Sequence, residues 1–358
     1  MKRRDVLTSG LALGVTAIAA PAIAQETPTI RWRMTSSFPK SLETIYGGGE
    51  MFADRVSKLT DGKFTIRVFA AGDIVPAFQA LDAVQQGTVE ICHTASYYYT
   101  GKDLTFGFGT ALPFGLTARQ QNAWMYHGGG IELLNDFYKA YNVIAYPAGN
   151  TGAQMGGWFR NEVNKLEDLK GLKMRIPGLG GQVMARLGAV PQNLPGGDIY
   201  PALERGAIDA TEWIGPYDDE KLGLYKIAKN YYYPGWWEPC SMYHVMINLE
   251  KWAGLPKQYQ EAIISAAREC NIDMVAEYDA KNRLALQRLK ANGITIRKYS
   301  DEIMKGAYKA ATALYEEEAA KNPKFKALYD PWKIFRAEEA AWFALTELAI
   351  EDFLANNL

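Results

Sequence analysis

Short runs of alternating apolar and polar residues punctuate this chain, and longer stretches of helical spacing separate them. Residues 30–34 alternate and predict a first strand, and residues 63–69 predict a second. Between them, residues 41–59 carry the three-to-four spacing of a helix that Gly62 ends. Pro76 marks the first turn of another helix. Helices are then expected over 117–126 and 131–141, and strands over 143–147 and 156–159. A short helix at 166–170, a brief strand at 173–176 and a helix at 181–187 follow. Beyond an acidic helical piece at 216–225, residues 231–239 read as an aromatic loop, and 241–248 as a strand returning to the first half. A long amphipathic helix is expected from Pro256 to about Leu289, then a strand at 294–297 and helices at 303–321 and 337–354.

One pattern occurs twice. Ala83-Val84-Gln85-Gln86-Gly87-Thr88-Val89-Glu90 and Ala202-Leu203-Glu204-Arg205-Gly206-Ala207-Ile208-Asp209 share an order of helix end, glycine, small residue, β-branched residue and acid. The glycine suits the left-handed position past a helix end, with a strand following. Two copies suggest two lobes on one β-α-β plan. Strands alternating with helices imply an α/β fold of parallel sheets covered on both faces, with ligands beyond the strand ends. The first copy runs on to Tyr97 and Tyr98, the second to Glu212 and Trp213.

At the N-terminus the pattern is of another kind. Lys2-Arg3-Arg4, a weakly apolar stretch and Ala22-Ile23-Ala24 form an export signal over residues 1–24. Arg3-Arg4 before Val6-Leu7 fits a twin-arginine signal in part, and Sec export stays open. With 39 basic and 40 acidic residues, charge makes no case for nucleic acid. The cysteines Cys92, Cys240 and Cys270 are odd in number, so at least one is a free thiol; all three read as buried small hydrophobes.

Enzyme signals are sparse. There is no nucleophile elbow and no phosphate-binding loop. His93 and His244 fall in strand-like apolar runs, where a hydrogen-bonded core histidine is expected. Gly178-Leu179-Gly180-Gly181 approximates a dinucleotide fingerprint, but Val183 replaces its third glycine. A binding site fits better. Arg175 ends a short strand before Pro177, and a guanidinium there can grip a carboxylate with two parallel hydrogen bonds. Glu212 beside Trp213 and Glu238 beside Trp237 are acids in apolar company, and each needs a partner or a proton. A hard cation can serve both, with the Gln154 amide oxygen completing the set.

Three blocks then carry a resemblance: residues 78–90, residues 169–178 around Arg175, and residues 200–209. Across about residues 27–358 the chain resembles the DctP-type solute-binding subunits of TRAP transporters. That resemblance implies a two-lobed periplasmic binding protein of type II-like architecture. Two mixed sheets flanked by helices would enclose a ligand cleft, with long C-terminal helices. Lobe one would be residues 27–150 with a return segment at about 241–300, lobe two 151–240, and 301–358 C-terminal helices.

Arg175 matches the family's carboxylate-binding arginine. Gln154, Thr211-Glu212-Trp213 and Trp237-Glu238-Pro239 resemble the 2-oxo-acid and lactate-binding branch. Membership of that branch implies a metal held by Gln154, Glu212, the Trp213 carbonyl and Glu238. Tyr97, Tyr98 and Asn150 would approach the substrate, and Gln154 and Trp213 border it. Resemblance favours sodium over calcium. Two acids, one arginine and a substrate anion sum to −2, so counting charge leans to calcium. The implied role is a non-enzymatic receptor in the periplasm, handing a small 2-oxo monocarboxylate such as pyruvate to membrane permease subunits. A 2-hydroxy acid such as lactate is the alternative; an exported carboxylate-processing enzyme or a chemoreceptor's binding protein are further readings. The helix at 337–354 is the candidate for a homodimer contact.

Overall fold

A computed structural model describes residues 27–357. The export signal expected at residues 1–24 lies outside them. The strands, in chain order, are β1 (Ile30–Ser36), β2 (Phe64–Phe69), β3 (Ile91–Thr94), β4 (Val143–Asn150), β5 (Trp158–Phe159), β6 (Lys173–Arg175), β7 (Val190–Gln192), β8 (Ala210–Thr211), β9 (Asn230–Tyr233), β10 (Met242–Asn248) and β11 (Thr295–Lys298). They form two sheets, ordered β2-β1-β3-β10-β4 and β11-β9-β5-β8-β6-β7. Alternation explains the first strand: Trp32 and Met34 are buried while Arg31 and Arg33 face water. Trp32 meets Phe64 of the parallel neighbour β2 edge-on at 4.9 Å.

The doubled pattern is a doubled structure. Gly87 and Gly206 hold φ of 75° and 71°, a left-handed turn open to glycine. Thr88 N–H reaches back to Ala83 O at 2.8 Å, and Ala207 N–H to Ala202 O at 2.9 Å. Each acid then binds the strand next door. Glu90 accepts from Arg33 N–H of β1 at 2.8 Å, and Asp209 from Lys173 N–H of β6 at 3.1 Å. Both runs open a strand, β3 and β8, that pairs in parallel with that neighbour.

The sheets are mixed because the chain crosses between lobes. It passes from β4 to β5, and returns from β9 to β10; β5 and β10 are antiparallel to both of their neighbours. The two crossing segments hold one another. Thr151 N–H donates to Ser241 O at 3.0 Å, and Gly235 N–H to Gln154 O at 3.1 Å. A third link is the 35-residue helix Lys257–Ala291, about 50 Å long at 1.5 Å per residue. It packs on β4 and on the helix Glu43–Leu59, and also on the short helix Pro216–Leu222. Its Tyr259, Ile263 and Ala266 join Phe52, Phe64 and Ile247 in one core cluster.

Several boundaries differ from the expectation. Residues 231–233 belong to β9 rather than to a loop; Tyr231 stacks on Trp158 of the adjacent β5 at 3.8 Å. β11, expected with the first lobe, pairs with β9 in the six-stranded sheet. The helix after Arg175 starts at Gly178, ahead of the expected 181. Its glycines sit where side chains do not fit: a Cβ on Gly181 would lie 2.7 Å from Ile176 O. The last helix starts well before 337, at Pro323, where Asn322 accepts from Lys324 and Phe325 N–H. It runs to Leu345, and Glu347–Ala355 forms a separate final helix.

Candidate functional site

Arg175 ends β6 with its side chain fully buried. A lone guanidinium out of water is costly, so its donors need partners. Nε donates to Leu194 O at 3.0 Å. Nη1 donates to Glu212 O at 3.1 Å and to the Glu212 carboxylate. The guanidinium carbon lies 5.0 Å over the Trp213 ring. Nη2 is buried and has no partner. Two parallel hydrogen bonds to a ligand carboxylate were expected from this side chain; instead its Nε and Nη1 are committed within the protein.

Glu212 follows β8, which lies next to β6, so sheet pairing delivers it to Arg175. Gln154 and Glu238 stand on the two crossing segments. Gln154 Nε2 donates to Thr151 Oγ1 at 3.1 Å, which leaves its Oε1 for something else. That oxygen, Glu212 Oε2, Glu238 Oε2 and Ser241 Oγ are all buried without a hydrogen-bond partner. Buried polar groups are nearly always satisfied; such orphans also occur elsewhere among the described residues, but here four oxygens left without a donor belong to residues of one site and are free to meet a ligand. Burial pushes both acids upward. Glu212 rises well above the usual carboxylate range, opposed by Arg175 and aided by Glu238. Glu238 rises as well, with the Arg175 charge foremost among the groups pulling the other way.

The first lobe supplies an aromatic wall. Tyr97 and Tyr98 stack with centroids 5.0 Å apart, Phe78 lies 4.8 Å from Tyr98, and Phe38 lies 5.0 Å from Tyr243. Burial and the nearby Glu238 hold the Tyr97 hydroxyl protonated. Gly178, with φ of 60°, meets this wall from the second lobe: a Cβ there would stand 2.5 Å from Tyr97 Cδ2.

Of the expected residues, Arg175, Glu212 and Trp213 are joined by direct contacts, and charge effects tie Glu238, Tyr97 and Tyr98 to them. Asn150 is buried, and its side chain is held between its own loop and the other crossing segment. Its Oδ1 accepts from Gly152 N–H at 2.9 Å, and its Nδ2 faces Cys240 Sγ at 3.6 Å. Ser241 was not anticipated, although a hydroxyl between a cysteine and a strand of apolar residues is a readable sign. The Leu194 carbonyl carries no such sign. The three cysteines are free and buried. His93 and His244 are buried in the sheet, but neither His93 nitrogen has the hydrogen bond expected of it.

Among the described residues no three His, Cys, Asp or Glu side chains are grouped to hold a metal. A cation here would rely on two carboxylates with neutral amide and carbonyl oxygens. That all-oxygen set suits sodium or calcium and is poor for zinc. The orphaned Gln154, Glu212 and Glu238 oxygens therefore fit the expected group.

Known proteins carry the same frame. The chain is 53% identical to a monocarboxylate 2-oxoacid-binding periplasmic protein of Nostoc sp., over the full length of both. A solved TRAP transporter solute-binding protein from Bordetella bronchiseptica superposes with a TM-score of 0.91 at 50% identity, over 92% of this chain and 98% of that one. It is a mixed-occupancy dimer with copurified calcium and picolinate in one active site and an apo second site. A TRAP periplasmic solute-binding protein from Pseudoalteromonas atlantica, with bound sodium and pyruvate, gives 0.88 at 38% identity over 90% and 99%. Residues 35–322 match the model for bacterial extracellular solute-binding protein, family 7, so the chain belongs to that family, DctP.

Proposed function

We propose that this chain is the periplasmic receptor of a TRAP transporter and captures a small 2-oxo monocarboxylate together with a metal cation. The observation that carries the reading is the buried Arg175 Nη2 and the orphaned oxygens of Gln154, Glu212 and Glu238, in a site of one guanidinium and two acids. Nη2 has two hydrogens to give the ligand carboxylate. Glu212, Glu238, the Gln154 amide and the Trp213 carbonyl hold the cation in this reading. When bound, the cation supplies a hard positive centre for the 2-oxo oxygen. Tyr97 and Tyr98 cover the ligand and keep water out. Asn150 shapes the loop and reaches the ligand at most through its remaining amide hydrogen.

The act is capture and release rather than turnover. Ligand enters between open lobes, and closure brings Tyr97 against Gly178. Membrane permease subunits then receive it. Sodium is the first candidate cation, as in the Pseudoalteromonas relative; calcium, as in the Bordetella one, balances the full site charge better. A 2-hydroxy acid such as lactate offers the same pair of oxygens and is the competing ligand. The exposed apolar residues of the C-terminal helices support a homodimer contact.

Calorimetry tests the reading, on protein stripped of cation by refolding in chelator and exchange into sodium-free buffer. Pyruvate, longer 2-oxo acids and lactate are titrated with sodium, with calcium and with neither. Binding of a 2-oxo acid that requires one of the cations is expected. Absence of heat with every 2-oxo and 2-hydroxy acid overturns it.

A further inference from the structure

Two consecutive acids, Asp218 and Asp219, lie buried behind the site and are not part of the proposed ligand set. Their partners explain why two carboxylates would be kept out of water. Asp219 Oδ2 accepts from Tyr231 Oη at 2.7 Å and from Trp158 Nε1 at 2.9 Å. Those two rings stack on each other across β5 and β9, so the carboxylate is fixed to the six-stranded sheet. The other oxygen, Oδ1, is thereby aimed at Ile214 N–H, 3.2 Å away. Asp218 Oδ2 accepts from the Trp213 indole at 3.3 Å and from Tyr278 Oη of the long helix at 2.9 Å. One acid therefore holds the backbone that follows Trp213, and the other holds its ring.

The Trp213–Ile214 peptide is trans. In a trans peptide the N–H and the C=O point in opposite directions. An Ile214 N–H locked onto Asp219 turns the Trp213 carbonyl away from that carboxylate. The next carbonyl is held too, since Met155 N–H donates to Ile214 O at 3.1 Å from the first crossing segment. An anionic acceptor on the N–H also polarises the peptide and makes its carbonyl oxygen a stronger cation ligand, as partners behind a ligating group do elsewhere.

We infer that Asp219 is a positioning residue for the cation: through Ile214 N–H it orients and polarises the Trp213 carbonyl, while Asp218 separately steadies the Trp213 ring over Arg175. This rests on the proposed cation-dependent receptor, and its test separates the two. Pyruvate binding is titrated against sodium and against calcium, and the cation concentration at half-maximal binding is read for wild type, Asp219→Asn and Tyr231→Phe. The Asn variant keeps the shape, loses the charge and turns one of the two accepting oxygens into a donor. Its midpoint should rise by about 10–100-fold, the usual cost of losing a partner behind a metal ligand. Pyruvate affinity at saturating cation should return near the wild-type value, which a merely loosened fold would not allow.

Tyr231→Phe retains the carboxylate and removes one hydroxyl, so it serves where Asp219→Asn fails to fold. Its midpoint should rise in the same direction by a smaller factor. If wild type needs a cation and the folded variants need no more than wild type, the inference is overturned and the receptor reading stands. A loss of pyruvate affinity that saturating cation does not restore also overturns it. If wild type binds pyruvate with no cation at all, both fall.

Discussion

Arg175 reaches Glu212 twice, through Nη1 to its backbone carbonyl at 3.1 Å and to its carboxylate, with both side chains out of solvent. The second contact fixes the first: sheet pairing sets where Glu212 stands, and the ion pair sets where the guanidinium points. What remains for a ligand is Nη2.

Arg175→Ala therefore has two expected effects. Removing one partner of a buried ion pair strands the other, at a cost of about 3–5 kcal/mol in stability of the ligand-free protein. Adding Glu212→Gln should recover part of that loss. Affinity for the carboxylate should fall by at least about 1.5–3 kcal/mol, the scale of a charged hydrogen bond. Urea melts of the single and double variants check the first effect, and calorimetry on folded Arg175→Ala checks the second. Unchanged affinity removes Arg175 from its role.

Gly178→Ala should hinder closure. The added methyl would lie 2.5 Å from Tyr97 Cδ2, at a residue with φ of 60°. Strain of this kind costs about 1–3 kcal/mol, so ligand affinity should drop by about 5–150-fold. Scattering in solution should show a larger radius of gyration in the presence of ligand than for wild type. Equal affinity and equal radius would remove the Tyr97–Gly178 contact from closure.

The architecture was legible in the sequence because glycine positions are stereochemically restrictive. Gly87 and Gly206 announced the same turn twice, and both turns open a strand. Glu212 and Glu238 were visible as acids beside tryptophans, a company that burial makes costly. The internal commitments of Arg175 were not visible. Leu194 O is a backbone atom 19 residues away, and no side-chain pattern signals a carbonyl. Asp218 and Asp219 read as an acidic helix start, because water normally surrounds such residues. Only the fold puts Trp158, Tyr231 and Tyr278 around them. Residues 323–336 escaped the helical reading, with a proline at either end of the buried first turns.

Substitutions in the final helices should change the oligomeric state and spare the site. Phe325, Leu328, Tyr329 and Trp332 bury the first turns, whereas Leu345 is 77% exposed, Leu348 61% and Phe353 60%. In the dimer contact proposed above, these exposed apolar residues meet a second copy of the chain. Leu345→Asp with Leu348→Asp should yield monomers by light scattering, with pyruvate affinity unchanged. A wild type that is already monomeric at high concentration would end the proposal.

Acid should destabilise the protein through its buried histidines. Burial lowers His93 from 6.5 to about 4, and burial with the nearby His93 lowers His244 to about 3. On unfolding each imidazole regains its ordinary value, so between pH 6.5 and about 4 the unfolded chain binds protons that folded His93 refuses. Stability from this source is full above pH 6.5 and is lost as pH falls, by about 1.4 kcal/mol per unit for each histidine. Buried Asp218 and Asp219, raised to about 7 and about 6, act with the opposite sign, since the folded chain holds their protons longer. A direct melt of wild type sums both. The difference between wild type and His93→Gln cancels the acids and leaves the imidazole. That difference should shift in favour of the variant as pH drops from 6.5 to 4.5, by roughly 2–3 kcal/mol in denaturant melts. A difference that stays constant across the window would show that folded His93 takes up its proton as readily as the unfolded chain does, and so is not lowered.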